Sequence, residues 1–253
     1  MENVIKTPQL RVCVTTQCNL KCRFCRAGGE GYAENLEQRL TSNEIRQVLN
    51  TTKEIGFECV KFTGGEPLLR EDIMDLIKYA RGLGFKDVQL VTNGTLLEQR
   101  IPELKEVGLD LLTVSLDAIN ADVYEYMRGH AIAPVLDAIK RCSEEGIAVR
   151  INMIVIKSNF DQLKPMIEFA RNTNCSLKLL DLIRLPGIEE FWEKEYLNFN
   201  EVRKLLDEIG GTYIGKEEAP GGIGAPLSEY RTKDGCQIVI KDSTQGTFYH
   251  ETC

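Results

Sequence analysis

No apolar run of about 18 residues, the length that crosses a bilayer as a helix, occurs in the 253-residue chain. The first residues, MENVIKTPQ, lack the cationic-then-apolar pattern of a secretory leader. Together these absences predict a cytoplasmic protein with no membrane partner. Positive charge is in deficit: 31 Lys and Arg stand against 38 Asp and Glu, a net charge of −7. Nucleic-acid binding without sequence preference relies on Lys and Arg neutralising phosphates, so no nucleic-acid partner is expected. A local basic pocket for one small anion stays compatible with that balance. Internal repeats and low-complexity tracts are also missing. What is present, 43% apolar and 27% charged residues, is the mixture of a soluble globular protein. A chain of this length buries most of its apolar surface without disulfide staples. It nonetheless carries nine cysteines. In a reducing compartment disulfides rarely persist. The cysteines therefore call for a metal or catalytic role, or serve as small buried hydrophobes.

Strand and helix signals alternate. Short β-branched runs fall at 10–16, 59–63, 88–92, 111–116, 149–156 and 176–183. Helical patterns lie between them at 42–55, 71–82, 97–107, 121–128, 133–145 and 160–172. Thr41 precedes Glu44 by three residues, the spacing of a capping box. Gly56, Gly84, Gly108 and Gly146 sit where helices should stop. Six successive βα units imply parallel strands with right-handed crossovers. An open β/α barrel and a doubly wound sheet both fit that pattern. After about residue 185 it changes. An irregular aromatic stretch leads to a helix at 200–209. A Gly- and Pro-rich loop follows at 217–230, and 235–242 reads as a lone strand.

Two motifs carry chemistry. Cys18, Cys22 and Cys25 directly follow the first strand, separated by three and then two residues. A closed zinc site wants four ligands, usually from paired motifs. Cys13 lies on the strand itself, and Cys59 begins the next one. Three thiolates without a fourth suit a [4Fe–4S] cluster with one iron left open. A zinc site completed from a distance and a surface loop with chance cysteines are the alternatives. The second motif, KFTGGEPLLR at 61–70, ends the second strand. Gly64 and Gly65 permit close approach of the backbone to a ligand at the strand end. Glu66 offers a carboxylate suited to an ammonium group.

In this order the two motifs resemble the radical S-adenosylmethionine superfamily. The resemblance runs over roughly residues 8–210 and implies a partial (β/α)6 TIM-like barrel. It also implies a [4Fe–4S] cluster on Cys18, Cys22 and Cys25, and S-adenosylmethionine chelated on the open iron. One-electron cleavage would give methionine and a 5′-deoxyadenosyl radical, which removes a hydrogen atom from the substrate. An electron donor such as flavodoxin or ferredoxin is implied as partner. By resemblance Phe24 packs on the adenine, and Gly64, Gly65 and Glu66 meet the methionine amino group. Asn93 and Ser115 end strands at the same mouth, and Arg128 pairs with the methionine carboxylate. No side chain is assigned as catalytic acid or base, because the acting group would be the radical. The bland readings are a turn for Asn93–Gly94, a strand end for Ser115 and a solvated charge for Arg128.

The stretches LRVCVTTQCNLKCRFC, TGGEPLLR, TNG and VSLDAI are similar to the GTP 3′,8-cyclase branch of molybdenum-cofactor biosynthesis. That branch implies a small-molecule, nucleotide substrate, with Arg11, Lys61 and Arg150 as substrate-binding residues. The match is uneven. Lys61 stands where the branch has arginine, Val91 replaces a polar residue, and Gly28, Gly29 and Gly31 replace a bulkier stretch. Arg and Lys are not equivalent toward phosphate, and these changes together suggest a relative with another substrate rather than a faithful cyclase. The domain expectation is a barrel over 1–210 and a short extension over 211–253, which resembles the approach to an auxiliary-cluster domain. Cys253 stands about where that second cluster would begin. The chain is then either a truncated form or one lacking the second site, and Cys236 and Cys253 are assigned to no cluster. A peptide-modifying enzyme of the same superfamily and a non-catalytic metal-binding interaction protein are the competing readings.

Overall fold

The computed structural model describes residues 9–25, 40–217 and 226–245. The Gly28–Gly31 loop, most of the Gly- and Pro-rich loop and Cys253 lie outside these residues. Two compact units divide the chain. The first draws on residues up to 21, 27–114 and 133–149, and the second on 22–26, 115–132 and 150 onward.

Four strands define the first unit: β1 (Gln9–Cys13), β2 (Cys59–Thr63), β3 (Asp87–Thr92) and β4 (Leu111–Ser115). Neighbours pair in parallel, in chain order. Their helices are α1 (Ser42–Glu54), α2 (Ile73–Gly82) and α3 (Leu97–Glu106), joined by α5 (Ala133–Glu144). Strand side chains alternate between faces. Val60, Phe62, Val88, Leu90, Leu112 and Val114 are fully buried, as are Leu76 and Ile77 of α2, which packs on β3. The other face is polar at one level: Arg11 stands opposite Lys61, and Lys61 opposite Gln89.

The second unit holds the remaining strands. β5 (Val149–Ile154) and β6 (Ser176–Leu180) pair in parallel. The expected lone strand is not alone. As β9 (Gln237–Lys241) it adds in parallel to β6, and its Ile238 and Ile240 are fully buried. β8 (Leu227–Arg231) and β7 (Thr212–Glu217) extend this sheet in antiparallel fashion. A loop was expected at 217–230, and its last residues are instead strand, with Tyr230 buried against that sheet. Helix α4 (Ala121–Arg128), α6 (Leu163–Asn172), α7 (Glu189–Glu195) and α8 (Phe199–Glu208) complete the unit. The α7 turn lies in the stretch read as irregular. Trp192 fixes it by donating Nε1–H to the Leu182 carbonyl at 2.9 Å.

Local signals explain the helix ends. Thr41 and Glu44 form the reciprocal capping box: the Thr41 N–H donates to Glu44 Oε2 at 2.7 Å, and the Glu44 N–H to Thr41 Oγ1 at 3.3 Å. Gly84 takes a φ of +82° after α2, a left-handed conformation that glycine adopts without a Cβ penalty. A Thr41→Ala variant loses that cap. We expect a loss of about 1 kcal/mol. In a thermal melt this appears as a fall in Tm of about 2–4 °C.

Candidate cofactor site

Cys18 follows β1 in the first unit, and its position depends on a backbone contact. The Gly65 N–H donates to the Thr15 carbonyl at 2.8 Å, and the Glu66 N–H to the Gln17 carbonyl at 2.7 Å. Both glycines are obligatory there. A Cβ on Gly64 would stand 2.3 Å from the Thr15 oxygen, and one on Gly65 would stand 2.1 Å from the Gln17 oxygen. The close approach is thus to the segment leading into Cys18.

Glu66 is fully buried. Its Oε1 accepts from Thr92 Oγ1 at 2.7 Å and from the Leu68 N–H at 3.0 Å, and its Oε2 accepts from the Asn93 N–H at 2.6 Å. The carboxylate therefore clamps the end of β3 to the end of β2. Asn93 continues the chain of contacts. Its Nδ2 donates to Asn19 Oδ1 at 2.8 Å and to Cys18 Sγ at 3.8 Å, while its Oδ1 accepts from the Thr95 N–H at 2.9 Å. Asn93 both shapes the turn and reaches the thiol. The Leu20 N–H also donates to Cys18 Sγ, at 3.4 Å. Arg70, which sequence reasoning passed over, is buried beside this segment. Its Nη1 donates to the carbonyls of Val14 and Leu40, each at 2.9 Å, and its Nε pairs with Asp72 at 2.6 Å.

Cys22, Phe24 and Cys25 belong to the second unit. Phe24 is buried with Met127, Ile156 and Leu182, and Cys22 packs against that group. The Arg23 N–H donates to the Met127 carbonyl at 3.0 Å, and Arg23 Nε to the Tyr126 carbonyl at 2.8 Å. These bonds use carbonyls that the last turn of α4 leaves without helical partners. Arg128, in that same turn, is not a solvated charge. It is 4% exposed and pairs with the fully buried Asp117 at 2.6 Å. Its Nη1 donates to Cys22 Sγ at 3.9 Å. Burial opposes its charge, but Asp117 and then Cys22 bind its proton more tightly than in a free guanidinium. Burial pushes the Asp117 carboxyl up from the usual range, with Arg128 pulling the other way. Ser115 ends β4, half-buried.

The substrate-side candidates divide between the units. Arg11 and Lys61 are register partners in the first. Arg150 lies on β5 in the second, where its Nε donates to Ser176 Oγ at 3.3 Å. Asp117 and Thr92 went unassigned from sequence, although both sit inside quoted motifs, VSLDAI and VTNG. Tyr124 went unassigned too; nothing in its sequence context marks it.

The thiols of Cys18 and Cys22 each accept an N–H donor. Such donors favour thiolate ligands. Among the described residues no three His, Cys, Asp or Glu side chains converge closely enough to grip a single ion. The donor set, thiols that accept N–H groups, is of the kind that holds iron–sulfur clusters.

Comparison with known proteins gives the family. The family model of the radical SAM superfamily matches residues 12–170. The chain belongs to the radical SAM superfamily. This radical SAM protein is 35% identical over 191 residues to a probable GTP 3′,8-cyclase of Archaeoglobus fulgidus, covering 72% of this chain and 63% of that one. It is 32% identical to the GTP 3′,8-cyclase of Aquifex aeolicus, covering 78% and 63%, and 37% identical to a probable GTP 3′,8-cyclase of Sulfurisphaera tokodaii, covering 79% and 63%. The chain thus spans about 63% of the length of these curated relatives. Among solved structures, Streptococcus suis SuiB bound to the precursor peptide SuiA superposes with a TM-score of 0.70 at 19% identity, covering 81% of this chain and 46% of that one. Methylornithine synthase (PylB) gives 0.64 at 17%, covering 79% and 61%. These likenesses establish the fold: a mostly parallel α/β sheet, open and consistent with the partial TIM-like barrel expected from sequence. Among the described residues no helix is long and apolar enough to cross a membrane.

A Gly65→Ala variant tests the backbone contact. Its methyl group meets carbonyl oxygen that cannot swing aside, so we expect a loss of about 1–3 kcal/mol. A thermal melt should fall by several degrees. The thiol at Cys18 should also react faster with a maleimide than in the parent protein.

Proposed function

We propose that this chain is an enzyme that cleaves S-adenosylmethionine reductively and removes a hydrogen atom from a small-molecule, nucleotide substrate. The observation that carries the reading is the set of thiols within residues 18–25, where amide and guanidinium N–H groups donate to Cys18 and Cys22. Cys18, Cys22 and Cys25 would ligate a [4Fe–4S] cluster. When bound and reduced, that cluster supplies the electron that breaks the sulfonium C–S bond of S-adenosylmethionine. The chain's own residues do the positioning. Gly64, Gly65 and Glu66 fix the edge beside the Cys18 segment, which would face the methionine amino group. Phe24 would present its ring to the adenine from an apolar setting that keeps water out. Asn93 and Ser115 would contact the nucleoside from the ends of β3 and β4. Arg11, Lys61 and Arg150 would bind an anionic substrate, and the likeness to the GTP 3′,8-cyclases supports a nucleotide. A flavodoxin or ferredoxin would deliver the electron in a cytoplasmic setting.

Anaerobic reconstitution should give brown protein with about four irons per chain. Dithionite with S-adenosylmethionine should then yield 5′-deoxyadenosine, and Cys22→Ala should abolish both the colour and the product. Colourless protein with one zinc per chain, or full product from Cys22→Ala, would defeat the reading. GTP should raise 5′-deoxyadenosine formation; indifference to every nucleoside triphosphate would remove the nucleotide part alone.

A further inference from the structure

A buried polar group in the second unit reaches Cys22. Arg128 donates from Nε and Nη2 to the same oxygen, Asp117 Oδ2, at 2.7 and 2.6 Å. Asp117 Oδ1 accepts from the Ile154 N–H at 2.8 Å, and the Asp117 carbonyl accepts from Asn159 Nδ2 at 2.7 Å. The carboxylate is therefore held by β5, the Asp117 main chain by the exit of β5, and the guanidinium by the carboxylate. A flat fork fixed along one edge can aim only its remaining nitrogen, and Nη1 reaches the Cys22 sulfur at 3.9 Å. The rings of Phe24 and Tyr124 lie 5.3 and 6.0 Å from the guanidinium carbon. They enclose it in a weakly polarisable setting where a charge acts strongly. The Tyr124 hydroxyl is fully buried in the same group and has no hydrogen-bond partner among the described residues. An unpaired buried hydroxyl is costly unless something not yet present accepts from it. Burial pushes its pKa up to about 12, against the pull of Arg128, so it stays protonated and able to donate.

Arg128 was expected to grip the methionine carboxylate of the cofactor. Its side-on edge, the one matched to a carboxylate, is already closed on Asp117. We propose instead that the Asp117–Arg128 pair, with the Tyr124 hydroxyl, sets the reduction potential of the cluster that Cys22 ligates. Arg128 is a positioning residue acting through the sulfur. Its charge and its N–H stabilise the extra negative charge of the one-electron-reduced cluster, and the Tyr124 O–H adds a second donor. Asp117 fixes the fork and tempers its charge. Hydrogen bonds to sulfur and net local charge are the levers that set iron–sulfur potentials. The inference rests on the reading that Cys18, Cys22 and Cys25 hold such a cluster.

The test is a potentiometric titration of the anaerobically reconstituted full chain, with dithionite as reductant and electron paramagnetic resonance as the readout. Arg128→Met should lower the midpoint, cutting the reduced fraction at a fixed potential by about tenfold, which equals 59 mV for one electron. Asp117→Asn should move the midpoint the opposite way, because the cation is no longer tempered. Tyr124→Phe, which removes only the orphaned hydroxyl, should shift it in the direction of Arg128→Met and should leave the melting temperature intact. Should Arg128→Met not fold, Tyr124→Phe decides. Equilibrium dialysis should show S-adenosylmethionine binding retained within a few-fold in every variant. Unmoved midpoints, or shifts of one sign in Arg128→Met and Asp117→Asn, overturn the inference while the cluster stands. So does loss of S-adenosylmethionine binding with an unmoved midpoint, which returns Arg128 to the nucleoside's carboxylate. Parent protein that builds no cubane overturns the cluster reading and this inference with it.

Discussion

The placement of Cys18 depends on two peptide units having no side chain between them. Gly64 and Gly65 lie against the backbone of Thr15, Thr16 and Gln17 at distances that exclude a methyl group. Two hydrogen bonds then continue the β1–β2 pairing past the ends of both strands. A loop that leaves a strand normally gains freedom at once. Here the chain stays registered to its neighbour until one residue before the first thiol. The glycines of the GGEP motif thus act on the thiol segment first, and any role toward a ligand follows from the edge they leave. Glu66 extends the same logic by tying the ends of β2 and β3 together through Thr92 and Asn93.

A second constraint operates at Cys22. The last turn of α4 has carbonyls that no helical N–H can reach, and the segment 22–25 supplies donors to two of them. The same turn projects Arg128 toward the sulfur. A buried ion pair gains little stability over apolar packing, because desolvation offsets most of the attraction. The Asp117–Arg128 pair is better understood as a device that holds a charge in one place. The Ile154 N–H on the other carboxylate oxygen, with Asn159 Nδ2 on the Asp117 main-chain carbonyl, makes such a pair tolerable in the interior.

Much of the architecture was readable because it is written in short-range patterns. The parallel strands follow β-branched runs, and the helix ends follow glycines and one capping box. The C-terminal strands resisted. β9 was visible as a run but not as a partner of β6, since nothing local encodes a pairing over some 60 residues (Leu177 stands opposite Ile238). β8 was hidden because LSEYR alternates but adjoins a Gly- and Pro-rich tract that dominates any window reading. At the site, sequence marked residue types by spacing, yet could not assign their partners. Arg128 lies 11 residues after Asp117, across a helix, so no periodicity joins them. Arg70 closes the quoted KFTGGEPLLR, yet it and Tyr124 are set apart only by their burial.

The chemistry of a planar fork connects these observations. Arginine gives its side-on edge to one carboxylate, and whichever carboxylate arrives first fixes what the rest of the group can do. On Asp117 the fork is filled from within the chain, and that leaves the charge facing sulfur rather than an incoming ligand. On the polar face of the first unit the comparison runs the other way. Lys61, in register beside Arg11, has no fork and can offer an acceptor only a compact charge. The Gln89 amide on the next strand is half committed: its nitrogen donates to Asp87 at 2.6 Å, and its oxygen has no partner among the described residues.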